Sequence, residues 1–181
     1  VGTMTFVQEY QLLEDRFHVF KSITYDKMMK MLTQFKTGII YIGGAWCKNC
    51  QAIVALLNKT AKASKIRTVY NYDPHFINVF KEEVDLRDCG DLETKLKYYA
   101  LVEKVGFKSD ELVVDTLIPR MPVPMILGIK NGSCIGMVSG EYVLDQEGLH
   151  EEGSCEDQTE QFVSKLKELF KKVKEKNRGR M

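Results

Sequence analysis

Hydrophobic and polar positions divide the chain into short apolar or alternating runs and longer stretches of helical period. Arg16 to Ser22 alternates, with Phe17, Val19 and Lys21 on one side, and predicts an edge strand. Thr24 is placed to cap a helix with an apolar face of Tyr25, Met28, Leu32 and Phe35, and Gly38 follows its end. "GIIYIGG" is short, apolar, β-branched and bounded by glycines, so it predicts a buried central strand. From Lys48 to about Ser64 the period is helical, with Cys50, Ile53, Val54 and Leu57 inward. "RTVYNY" is a second buried strand, closed by Asp73-Pro74.

The stretch from His75 to Leu117 is expected to be mostly helical. Asp91 would cap a helix carrying Leu92, Leu96 and Tyr99, and Gly106 would end it. "VPMILGIKNGSCIGMVSG" reads as a hairpin turning at Asn131-Gly132. Asp157 and Glu160 resemble a capping box, opening a last helix with Phe162, Leu166, Leu169, Phe170 and Val173 on one face. The first dozen residues show no period and are expected at the periphery. The order β-α-β-α-β, helices, β-β-α implies an α/β fold: parallel strands first, an antiparallel hairpin second, and a mixed sheet with helices on both faces. At 181 residues the chain is expected to form a single domain, 1–181.

Composition narrows the function. With 26 basic and 25 acidic side chains the net charge is +1, which gives no one-signed field for nucleic acid or a membrane surface. The longest apolar runs are too short to span a bilayer. Five cysteines, scattered and odd in number, do not form a disulfide framework. The opening residues show no leader pattern. The expectation is a cytoplasmic monomer, or an extracytoplasmic protein if a leader precedes Val1.

Candidate chemistry sits in "GGAWCKNCQ", where Cys47 follows a strand and precedes a helix. Unpaired N–H groups at a helix N-terminus stabilise a thiolate, and Lys48 adds positive charge. Cys50 lies one turn deeper and can reach back to Cys47, which suits a pair that exchanges with a disulfide. A metal site needs further ligands at short spacing, and none accompanies this pair. A structural staple across so short a loop gains little chain entropy. Cys134 reads as a small buried hydrophobe, Cys89 as an exposed thiol, and the methionines as core filler. No dinucleotide fingerprint follows a strand, so no cofactor is expected.

"AWCKNC" after an apolar strand, "VPMILGIKNG", and the glycine of "VSG" resemble, in that order, three features of the thioredoxin superfamily. The resemblance covers roughly residues 17–80, 121–140 and the last helix. It implies a thioredoxin-like fold and thiol–disulfide exchange, with Cys47 attacking and Cys50 resolving. It also implies Pro124 as a cis-proline beside the cysteines, Trp46 at the rim, and Val123, Pro124 and Gly140 bordering a groove for an extended substrate. The partners implied are proteins bearing disulfides and a separate reductase.

Three departures stand out. Lys48-Asn49 replaces Gly-Pro between the cysteines, which argues for a less reducing couple. Tyr41 stands where thioredoxin buries an acid, so the proton acceptor for Cys50 is unassigned. The segment after Asp73 is long, implying a helical insertion at about 75–119, and an acidic loop follows at about 141–157. The leading expectation is a protein-disulfide reductase. The alternatives are a binding or adaptor protein without turnover, or an extracytoplasmic oxidant or isomerase.

Overall fold

The computed structural model describes residues 5–88, 90–140 and 154–176, with the side chains of 154–157 outside that description. In chain order the elements are α1 (Phe6–Glu9), β1 (Phe20–Ser22), α2 (Tyr25–Thr33), β2 (Gly38–Ile42), α3 (Lys48–Ala63) and β3 (Val69–Tyr72). There follow β4 (His75–Ile77), β5 (Glu83–Asp85), α4 (Leu92–Val105), β6 (Met125–Lys130), β7 (Ser133–Ser139) and α5 (Ser154–Lys174). The main sheet has the order β1-β3-β2-β6-β7. β3 runs parallel to both β1 and β2, while β6 is antiparallel to β2 and β7. The fold is therefore α/β, with a mixed five-stranded sheet.

Helices cover both faces, so β2 is buried along nearly its whole length. A side chain at Gly38 would meet Met31 of α2, and one at Gly128 would meet Leu169 and Val173 of α5. These residues lie on opposite faces, because Gly38 is opposite Ile129 rather than Gly128. α2 packs with α4 on one side, and α3 packs with α5 on the other. The core includes Ile39, Ile40, Ile53, Val54, Leu57, Leu127 and Phe170, all fully buried. Asn131 and Gly132 both take positive φ, 52° and 81°, as a tight two-residue hairpin turn requires.

Several expectations are corrected. Only Phe20–Ser22 of the 16–22 run is strand, and Phe17 is 86% exposed. Phe35 lies past the end of α2 at φ 56°, with its ring in solvent. The segment 75–119 is not mostly helical: β4 and β5 pair as a separate antiparallel hairpin, and α4 is the one helix among its described residues. Asn78 explains the hairpin, since its side-chain oxygen accepts from the N–H groups of Phe80 and Glu82. Such local bonds favour a turn over a helix. Two apolar stripes of helical period coexist on α4. The buried one is Tyr98, Leu101, Val102 and Val105, while Leu92, Leu96 and Tyr99 are exposed. Tyr98 decides between them: its hydroxyl donates to Pro119 O and accepts from Met121 N–H, both at 2.7 Å.

The last helix opens at Ser154 rather than at Asp157. Of the expected acidic loop, 141–153 lie outside the described residues and 154–157 are helical. Of the first dozen residues, those described lie mostly at the surface, except Tyr10, which is buried at 1% exposure.

Candidate active site

The cysteine pair sits where β2 gives way to α3. Cys47 is the N-cap of α3, in extended conformation, and its sulfur accepts the Cys50 N–H at 3.3 Å. It thus takes the place of the oxygen that a Ser or Asp would supply at a cap. Cys50, one turn along, is fully buried, whereas Cys47 is half-buried rather than exposed. The two cysteines approach to 2.9 Å, both as free thiols.

Their ionisation is split in opposite directions. The Cys47 thiol is lowered to about 7, first by a hydrogen bond from the Cys50 thiol. The backbone N–H groups of Cys50 and Asn49 and the charge of Arg87 act the same way, against the effect of burial. Cys50 is pushed far up, first by burial and then by the neighbouring Cys47. The site therefore offers one ionisable sulfur near the surface and one protonated sulfur beneath it.

Val123, Pro124 and Gly140 come together opposite Cys47. The Val123–Pro124 peptide bond is cis. The Cys47 thiol faces the Val123 carbonyl at 3.8 Å, and Gly140 N–H donates to Pro124 O at 3.0 Å. A side chain at Gly140 would overlap the Pro124 ring, which fixes how closely the two strand ends approach. Lys48 is exposed at the first helical position.

Residues that sequence reasoning missed complete the site. Arg87, 8% exposed, pairs with both carboxylate oxygens of Asp85 and donates to Met121 O at 2.8 Å. It ties the turn after β5 to the segment leading into Val123 and brings positive charge toward Cys47. Trp46 stacks flat on His75, with ring centroids 3.5 Å apart, and its indole N–H donates to Asp73 at 2.9 Å. Asp73 keeps solvent exposure, yet the desolvation its carboxyl does suffer raises it above the ordinary range. His75 in turn contacts Glu83 and Asp85 at 3.3 and 3.2 Å, so the β4–β5 hairpin forms one wall of the site. Only the Asp85-x-Arg87 spacing hinted at this, and it is a weak signal.

Asp73 also lines a cavity of about 580 Å³ over the carboxyl ends of β1 and β3, floored by Tyr25, Tyr72, Phe76 and Leu86. Cavity and cysteines lie along the same edge of the sheet, separated by the Trp46–Asp73 pair.

Beneath the pair, Tyr41 occupies the position where the resemblance leads one to expect a buried acid. It is fully buried, and its hydroxyl lies against Cys50 on one side and 3.0 Å from the Tyr10 hydroxyl on the other. Gly43 permits this: a side chain there would stand 2.6 Å from the Tyr41 oxygen and 2.7 Å from the Cys50 sulfur. Gln51 joins the N-terminal segment to the active-site loop, donating to Glu9 O and Ala45 O, both at 2.8 Å.

Cys134 is half-buried in β7, and burial raises its thiol. Cys89 and the Cys155 side chain lie outside the described residues. Among the described residues no group of three or more His, Cys, Asp or Glu is placed to hold a metal, and no helix is long and apolar enough to cross a membrane. No protein family's sequence profile matches the chain, and no curated protein sequence matches it.

Proposed function

We propose that the chain is a thiol–disulfide oxidoreductase with a thioredoxin-like fold, acting as a dithiol reductase of protein disulfides. The observation that carries this reading is the placement of two free thiols 2.9 Å apart at the N-terminus of α3, the outer one accepting the Cys50 N–H and the inner one fully buried. The Cys47 thiolate attacks one sulfur of a substrate disulfide, forming a mixed disulfide and releasing the first substrate thiol. Cys50 then attacks Cys47 Sγ. The Cys47–Cys50 bond forms, the bond to substrate breaks, and the substrate leaves with both electrons that the pair gives up. A separate dithiol reductase restores the pair. An extended substrate segment has the Val123–Pro124 backbone on one side and the Trp46 ring on the other.

The test is reduction of a peptide disulfide by the reduced protein and two variants. Cys47→Ser should abolish reduction, and Cys50→Ser should accumulate a mixed disulfide visible by mass spectrometry. Full turnover by Cys47→Ser overturns the reading. A wild-type pair that never cycles between dithiol and disulfide points to the adaptor instead.

A further inference from the structure

The thiolate that resolves the mixed disulfide forms in a buried place. Cys50 is fully buried, and the groups that most affect its thiol are Cys47, Tyr41 and the Gly44 backbone, none of them a carboxylate. Besides Cys47 and the backbone N–H of Gly44, the side chain that meets it is the hydroxyl of Tyr41, itself fully buried and backed by Tyr10. We propose that Tyr41 and Tyr10 form a hydrogen-bond chain that positions and stabilises the Cys50 sulfur as it becomes the resolving nucleophile. This inference rests on the function proposed above.

The direction of the chain follows from proton counting. A phenol has one proton. Burial holds both hydroxyls protonated across the working pH range, so neither serves as a base. Tyr41 therefore donates to the sulfur as negative charge gathers there, and Tyr10 donates to the Tyr41 oxygen. Adjacent hydrogen bonds in a dry interior polarise one another in this way. The proton that Cys50 gives up goes to the departing substrate thiolate, so Cys50–SH and the mixed disulfide become the Cys47–Cys50 disulfide and a substrate thiol with no net proton change.

Three sequence-distant segments converge on this point. Tyr10 comes from the turn after α1, Tyr41 from β2 and Cys50 from α3. The absence of a side chain at Gly43 lets Tyr41 and Cys50 meet. Phe6 stacks on Tyr10 at 4.5 Å, and Gln51 holds the backbone of Glu9, so the second hydroxyl is fixed from both sides.

The experiment measures resolution of a preformed mixed disulfide between Cys47 and a peptide thiol, followed by peptide release against pH. A hydrogen bond to a charged acceptor predicts that Tyr41→Phe slows release by about ten- to a hundredfold near neutral pH. Its pH–rate profile should move to higher pH. Tyr10→Phe should shift both in the same direction by less. Alkylation of Cys47 in the reduced protein should change far less, because Cys47 takes its stabilisation elsewhere. Tyr41→Phe strands the Tyr10 hydroxyl, so the Tyr10→Phe/Tyr41→Phe double variant, apolar on both sides, serves if the single variant folds poorly. Release by both Tyr41 variants at the wild-type rate, with the wild-type pH profile, overturns the inference and leaves the proposed function standing. A wild-type protein that exchanges with no disulfide overturns both.

Discussion

The Cys50 thiol is the largest single cause of the lowered Cys47 pKa, so removing it should raise that pKa measurably. A thiol lowered to about 7 from an ordinary 9.0 is about half ionised at pH 7, against about 1% for the ordinary thiol. Cys50→Ala removes the S–H donor but keeps the backbone N–H groups of residues 49 and 50 and the Arg87 charge. A hydrogen bond to a charged acceptor contributes about 1.5–3 kcal/mol, or about one to two pKa units. Cys47 is half-buried, and water will replace part of the lost bond, so the lower figure applies. The expected Cys47 pKa in Cys50→Ala is about 8, leaving about a tenth as thiolate at pH 7. The assay is iodoacetamide alkylation of Cys47, followed peptide by peptide from pH 5 to 10. The variant should react about fivefold more slowly at pH 7 and equally fast near pH 10. Cys50→Ser, which keeps a donor, should lie between the two. A Cys50→Ala profile still centred near 7 would refute the reasoning, because the helix N-terminus and Arg87 would then suffice.

Arg87→Met leaves the largely buried Asp85 with only His75 beside it and should cost about 3 kcal/mol in urea unfolding, while raising the Cys47 pKa. Adding Asp85→Leu should recover much of the stability but not the Cys47 shift. The reduced protein's stability should also depend on its cysteines. Cys47 ionises at about 7 when folded and near 9.0 when unfolded, so its contribution grows as pH rises from 7 to 9 and is lost as pH falls through 7. Cys50 stays protonated when folded but ionises when unfolded, so above about 9 its contribution falls. Denaturation curves of wild type and Cys47→Ala across pH 6–10 should differ by that rise. Gly128→Val places a side chain within 2.5 Å of Leu169 and 2.9 Å of Val173, and should lower stability by about 1–3 kcal/mol in thermal melts.

What was legible in the sequence is what local rules determine. "GIIYIGG" is apolar on both faces because β2 is covered on both, and Asn131-Gly132 turns because both residues accept positive φ. Thr24 and Asp91 cap their helices with side-chain oxygens, so those starts could be read in advance. The orientation of α4 could not be read, because two stripes of equal period compete and only the bonds of Tyr98 to the 119–121 segment choose between them. The β4–β5 hairpin was hidden for a similar reason: one Asn78 side chain turns the chain where the surrounding pattern allows a helix. Of the candidate site, Cys47 and Cys50 follow from their spacing between a strand and a helix, while Trp46, Val123, Pro124 and Gly140 are expected only through the resemblance. Arg87 and Tyr10 carry no motif, and their roles depend on partners 34 and 31 positions away.

The two residues that the motifs did not disclose come from segments outside the core of the resemblance, and each acts on a different sulfur. Arg87, at the turn after β5, brings positive charge toward Cys47 and braces the backbone facing it. Tyr10, from the N-terminal segment, backs the phenol beneath Cys50. A buried carboxylate in the place of Tyr41 could accept a proton, and its own titration would then enter the pH dependence of resolution. A buried phenol with a raised pKa cannot do this near neutral pH, so toward Cys50 it acts only as a donor. The acid-side limb of the attack step should therefore follow the Cys47 thiol near 7, with no second inflection from a buried acid. Among the described residues Asp73 is the one carboxylate beside the site with a raised pKa, and it is held by the Trp46 indole and the His75 N–H. A second inflection abolished by Asp73→Asn would assign the proton traffic to that wall of the site, and one that survives it would have to come from elsewhere.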